Sequence, residues 1–153
     1  MRVYTLEREQ VVPAEPGDVF AFFADARNLE TITPPFLHFE VVTPDPIELG
    51  TGTLIQYRLR LHGIPVTWLT AIQAWDPPHR FVDVQVRGPY ALWHHTHELE
   101  RHAEGTLMRD VVRYALPFGP LGDLAHAAFV RRDVERIFDY RRNVLSRRDA
   151  RAW

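Results

Sequence analysis

The chain contains no cysteine and no lysine; all 18 of its basic residues are arginine. The first absence excludes disulfides, thiolate nucleophiles and cysteine-ligated zinc or iron–sulfur centres. The second excludes Schiff-base chemistry on a side-chain amine. Serine occurs once, at Ser146 near the end of the chain, and there is no Gly-x-Ser-x-Gly elbow. Serine-nucleophile hydrolysis is therefore not expected. No apolar run approaches the roughly 18 residues needed to span a bilayer. The opening Met1-Arg2-Val3-Tyr4 lacks the apolar stretch of a secretory signal. A cytoplasmic protein without stable membrane insertion is the expectation. The formal net charge of −2 gives no electrostatic basis for binding nucleic acid. Arginines are dense over 131–151, but Asp133, Glu135, Asp139 and Asp149 interleave with them, the pattern of a solvated helix face.

What remains is an ordinary globular composition: 153 residues, 46% hydrophobic and 25% charged. That is enough chain for one domain with its own core. We expect a single domain over residues 1–148, followed by a short tail, 149–153. The 12 prolines fall between patterned segments and act as turn punctuation.

Residues 3–12 alternate in the manner of a strand. Pro13 to Gly17 break it. Pro16 at a first helical position and Asp18 in the first turn then open a short apolar helix carrying Val19, Phe20, Phe22 and Phe23. A second short helix is expected over 28–32, closed by Pro34-Pro35. Six β-like runs follow, at 36–43, 53–62, 65–75, 79–87, 92–100 and 106–116. Turn residues such as Gly50-Thr51-Gly52, His62-Gly63, Gly88-Pro89 and Glu104-Gly105 join them, and connections this short demand antiparallel neighbours. From 121 to about 148 the spacing predicts one long helix. Its buried stripe would run through Leu124, Ala125, Ala128, Val134, Ile137, Phe138, Val144 and Leu145. The fold class is α+β: a seven-stranded antiparallel sheet wrapped around the long C-terminal helix, with two short helices after the first strand.

Several local patterns carry a family resemblance. They are Val19-Phe20-Ala21-Phe22-Phe23-Ala24-Asp25 with Asn28-Leu29, then Trp75-Asp76-Pro77-Pro78 with Arg80-Phe81, then Gly105-Thr106, Tyr114 and Pro117-Phe118-Gly119. In this order they resemble the START-like superfamily, also called the Bet v1-like or SRPBCC group, with its helix-grip fold. The stretch from Asp83 to His97, through Gln85, Gly88-Pro89-Tyr90 and Trp93, looks like a bacterial ligand-binding subgroup. The resemblance spans essentially the whole chain. It implies a central cavity for lipids, sterols, polyketides or hormones, and in some members cyclase or hydrolase activity.

Turn arithmetic supplies candidate residues. A hairpin around Gly88-Pro89-Tyr90 that pairs Arg87 with Trp93 sets Gln85 opposite His95 and Asp83 opposite His97. A four-residue turn at 102–105 pairs Arg101 with Thr106 and sets His95 against about Met108 or its neighbours; one register among these places His95 opposite Asp110 and Trp93 opposite Val112. On that reading Asp83, Gln85, His95, His97 and Asp110 form a polar cluster on one sheet face. Tyr57, Trp68, Phe81, Trp93 and Tyr114 form aromatic walls around it. An imidazole beside a carboxylate suits ligand orientation or proton transfer. The competing reading is a self-satisfied network with a purely structural role. His94-His95-Thr96-His97 raises the question of a metal, since Asp83 or Asp110 could join His95 and His97. The spacing guarantees no convergence of three ligands, so neither a metal nor another cofactor is expected.

The functional expectation is a non-catalytic or weakly catalytic carrier of a small hydrophobic or aromatic, lipid- or polyketide-like, molecule. The rival is an aromatase/cyclase- or dehydratase-like enzyme using a His/Asp pair in the same cavity. A third class is an interaction module docking through the arginine-rich helix. Self-association as a homodimer is left open.

Overall fold

The computed structural model describes residues 1–153. Seven strands form one sheet: β1 (Tyr4–Val12), β2 (Glu40–Val41), β3 (Leu54–Leu61), β4 (Ile64–Asp76), β5 (Arg80–Arg87), β6 (Leu92–His102) and β7 (Gly105–Ala115). Their order is β1-β7-β6-β5-β4-β3-β2, and every pairing is antiparallel. Each strand from β2 onward pairs with its successor in sequence, as short turns require. Only β1 reaches across the chain, to β7, with Tyr4 opposite Tyr114 and Val12 opposite Thr106.

The period-2 pattern decides which face is buried. On β6 Trp93, His95, His97 and Leu99 point inward; on β7 Thr106, Met108, Asp110, Val112 and Tyr114 do. β3 contributes Ile55, Tyr57 and Leu59 to the same face. The long β4 shifts register against β5 at Leu69/Thr70 and again at Ile72/Ala74. Irregularities of this kind bend a strand and deepen its twist. In the β6–β7 hairpin Gly105 adopts φ +135°, and a Cβ there would lie 2.1 Å from the Val12 carbonyl oxygen. Only glycine fits so close to β1.

Helix α1 (Pro16–Ala24) starts with proline in its first turn and Asp18 near its N-terminus. It ends at Asp25, whose side chain accepts from the Arg27 backbone N–H and opens a 3-10 turn, Ala26–Glu30. This turn stands where a second short helix was expected. Val19, Phe20, Phe22 and Phe23 pack with Phe81, Leu99 and Met108. The expected strand over 36–43 is reduced to the two residues of β2, because Pro34-Pro35 enforce a further 3-10 turn, Pro35–Leu37, just before it.

The C-terminal helix runs unbroken for 28 residues. It comprises α2 (Pro120–Ala125), a π-helical turn (His126–Val130) and α3 (Arg131–Arg147). Val134 and Phe138 pack on Trp93, Val112 and Tyr114, Ile137 packs near Tyr57, and Leu145 reaches the α1 cluster. The expected stripe fails upstream of Val130: Leu124 and Ala128 face solvent, while Gly122 and His126 are buried. The wider π turn rotates the helix phase, so a stripe extended backwards from α3 lands on the wrong side of α2. Beyond α3 the chain folds back, and the Trp153 ring sits 5.4 Å from Phe22. No helix is long and apolar enough to cross a membrane.

Candidate functional site

Between the concave sheet and α3 lies a cavity of about 140 Å³. Sixteen of its 22 lining residues are hydrophobic. β3 and β4 supply Tyr57 and Trp68, which sit opposite each other in the ladder. Trp68 meets Trp93 edge-on at 5.3 Å, and Tyr90 packs 4.9 Å from Trp93. Phe138 and Ile137 of α3 close the other side.

One end of this apolar space is polar. The register places Asp83 directly opposite His95, Phe81 opposite His97, and His97 opposite Asp110. The expected pairings, Asp83–His97, Gln85–His95, His95–Asp110 and Trp93–Val112, are each displaced by two residues. A two-residue slip leaves every side chain on its expected face. Arg101 does pair with Thr106, and the ladder continues from it without a bulge. On the β5 side the slip has a visible cause. Gln85 donates from Nε2 to the Tyr90 carbonyl at 2.7 Å and accepts from the Tyr90 N–H at 3.0 Å, so its amide closes a wider turn.

The hydrogen bonds run diagonally across this ladder, within reach of long side chains. His95 Nε2 lies 2.7 Å from Asp110 Oδ1, and His97 Nε2 lies 2.6 Å from Asp83 Oδ2. Weaker approaches complete a four-cornered cluster. His95 Nδ1 is 3.7 Å from Asp83 Oδ2, and His97 Nδ1 is 3.4 Å from Asp110 Oδ1. The two imidazoles lie 3.6 Å apart by ring centroid, and His97 stacks on Phe81 at 3.9 Å. From α3, Arg141 Nη1 approaches Asp110 Oδ1 at 3.7 Å. Its Nε and Nη1 are buried without a hydrogen-bond partner, and the side chain lines the cavity.

A family model described as polyketide cyclase/dehydrase and lipid transport matches residues 4–145. The chain belongs to this family. Solved structures agree in fold. A crystal structure of Ara h 8.0201 is 24% identical, with a TM-score of 0.64, covering 95% of this chain and 99% of that one. The Zhui aromatase/cyclase from Streptomyces sp. R1128 is 18% identical, with a TM-score of 0.74, covering 94% and 92%. Protein CV1439 from Chromobacterium violaceum is 16% identical, with a TM-score of 0.72, covering 93% and 94%. At these identities the likeness is one of fold. No curated protein matches the sequence.

Electrostatics divide the labour within this polyketide cyclase/dehydrase family member. Burial drives the His95 pKa down, with help from His97, to about 4 against the pull of Asp83 and Asp110, so the ring is neutral at pH 7. Burial also acts against a proton on His97, but hydrogen bonds with Asp110 and Asp83 outweigh it, and its pKa is raised. Burial opposes ionisation of both carboxyls, yet the imidazoles hold Asp83 below its usual value and Asp110 well below it. The cluster thus keeps two carboxylates, one neutral imidazole and one imidazole poised to carry a proton.

Of the ten sequence-predicted site residues, seven line the cavity: Tyr57, Trp68, Phe81, Asp83, Trp93, His95 and His97. Three lie outside it. Asp110 stands behind His95 as its hydrogen-bond partner, and Gln85 is spent on the turn. Tyr114 hydrogen-bonds His126 at 2.8 Å beneath the π turn. Sequence reasoning missed Tyr90 and Arg141. Tyr90 stood only within the Gly88-Pro89-Tyr90 stretch of the family resemblance and carried no periodic signal, because loop residues follow no period. Arg141 had one: it continues the stripe of Val134, Ile137 and Phe138 at helical spacing, a cation where an apolar residue belongs.

Proposed function

We propose that the chain is a cytoplasmic carrier of a small apolar molecule, with an aromatic ring as its best-fitting portion. The observation that carries the reading is the aromatic cavity with one polar end, at Asp83, His95, His97 and Arg141. Its volume is close to the roughly 150 Å³ that accommodates benzene in an apolar void. A single ring fits without rearrangement; a longer lipid or polyketide would need α3 or the facing loops to give way. Burying roughly 200 Å² of ligand surface gains about 5 kcal/mol, comparable to the lower bound of the cost of association. Apolar burial alone therefore gives weak binding. The polar end would have to add hydrogen bonds and would select ligands carrying an oxygen acceptor, for which the unpartnered Arg141 donors are suited.

One observation favours an aromatase/cyclase- or dehydratase-like reading: the two diagonal His–Asp pairs, through His95 and His97, border the cavity. A neutral His95 could accept a proton while His97 donates one. Both readings meet in one experiment. Native mass spectrometry of the protein purified from its own source should reveal one retained small molecule, absent from a Leu59→Trp variant whose added bulk fills the cavity. If neither protein retains a molecule, and an apolar fluorescent probe binds the two equally, the carrier proposal fails. If the retained molecule is turned over, and His95→Ala stops turnover while leaving binding intact, the enzyme reading replaces it.

A further inference from the structure

Asp110 is a buried carboxylate and Asp83 a partly buried one, and their surroundings differ. Asp110 has Arg141 within ion-pair distance. Asp83 has only the imidazoles of His95 and His97 within that distance, with Arg141 acting on it from farther away. Burying a carboxylate is costly unless a positive charge answers it, and here no permanent cation lies within that range of Asp83. We infer that Asp83, His95 and His97 form a site for a divalent first-row transition cation, open to the cavity.

Three features of the geometry support it. The donor atoms of these residues lie within 4.8 Å of one another, and all three residues border the cavity. Three ligands from the chain would leave further coordination positions to water or a ligand oxygen. The nitrogens also sort themselves. His95 Nδ1 and His97 Nε2 face Asp83 Oδ2, at 3.7 and 2.6 Å. His95 Nε2 and His97 Nδ1 face Asp110 Oδ1, at 2.7 and 3.4 Å. Asp110 thus receives the outward nitrogens of both rings, the role of a carboxylate that orients metal-binding histidines. Tetrahedral ligands at about 2.1 Å from a metal stand about 3.4 Å apart. The Asp83–His97 contact would have to widen by about 0.8 Å and the Asp83–His95 approach to shorten slightly, and the two imidazoles, 3.6 Å apart by centroid and tilted by 31°, would have to splay so that both in-plane lone pairs aim at one point.

Coordination through His97 Nε2 replaces the proton now shared with Asp83. That proton leaves to solvent, and His97 donates from Nδ1 to Asp110. With a divalent cation, two carboxylates and Arg141, the net charge is +1, which one hydroxide or one anionic ligand oxygen neutralises. Two imidazoles with one carboxylate select zinc, iron, cobalt or nickel over magnesium or calcium. The inference does not depend on the organic ligand proposed above, because the cation needs only side chains of the chain itself.

The test uses the intact protein after chelator treatment, titrated with Co²⁺ and followed by its visible absorption, with Zn²⁺ as competitor. One equivalent of Co²⁺ should bind per chain and be displaced by Zn²⁺. Asp83→Asn and His97→Gln should abolish binding, and Asp110→Asn should weaken it roughly ten- to a hundredfold. A readout on the unaltered chain guards against variants that do not fold. Zn²⁺ should shift the imidazole NMR signals of His95 and His97 and leave the other six histidines in place. Absence of a stoichiometric complex overturns the inference, and so does a complex that survives His97→Gln but is lost in the surface variant His94→Gln. Either result leaves the carrier reading untouched, since ligand retention is measured without added metal.

Discussion

The buried His95 gives the pH dependence of stability a defined sign and window. Its folded pKa, about 4, lies below its ordinary value of 6.5, so the unfolded chain binds the proton more readily. Stability must therefore fall as pH drops from about 6.5 towards 4. At about 1.4 kcal/mol per pH unit for one proton, the loss amounts to roughly 3 kcal/mol, as an upper bound. The neighbouring groups contribute little slope inside that window. His97 has a raised pKa, so its stabilisation is complete below its unfolded value and is lost only as pH rises. Asp83 and Asp110 have lowered pKa values, so their stabilisation is lost only below the usual carboxylate range. The assay is urea unfolding at several pH values between 4 and 7, in chelator, followed by the fluorescence of the four tryptophans. A loss of roughly 3 kcal/mol moves the midpoint down by about 1–2 M. His95→Gln keeps an N–H for Asp110 but cannot titrate, so its profile should be flatter. Parallel profiles for the two proteins would refute the assignment of the slope to His95.

Three further outcomes follow from packing. Leu145→Ala, at a position 1% exposed between α3 and the α1 cluster, should cost about 2–5 kcal/mol in chemical denaturation. Gly105→Ala would drive a Cβ into the Val12 carbonyl; a loss of roughly 2 kcal/mol or more is expected, measurable as a lowered Tm. Tyr114→Phe removes the hydroxyl partner of the buried His126 and should cost about 1–2 kcal/mol, with cavity binding of an apolar probe unchanged.

The antiparallel run from β2 to β7 and the inward faces were legible because turn residues and period-2 alternation are local signals; the pairing of β1 with β7 was not, since no local signal joins strands so far apart. Turns and alternation correctly put His95, His97 and Asp83 on one surface. Pairing partners were less legible: the β5–β6 turn is closed by the Gln85 side chain, a contact no spacing rule anticipates. Even so, His95 with Asp110 and His97 with Asp83, expected as direct cross-strand partners, meet instead through diagonal hydrogen bonds, because diagonal reach compensates for a slip of two. Helix phase was legible in α3 and lost in α2, since the π turn carries no clear mark in the sequence. Arg141 was readable in principle as a charged residue in an apolar stripe. Its meaning needed the third dimension, which shows what the guanidinium lies against.

The pairing of β1 with β7 has a temporal side. Tyr4 meets Tyr114 across most of the chain, so a nascent polypeptide carries an orphan first strand until β7 has left the ribosome. Such distant closure is slow relative to hairpins. The meander from β2 to β7 can assemble first, with β1 and the C-terminal helix docking last. Until then the future pocket is an open trough, so a ligand present during synthesis would meet its site before the grip closes over it.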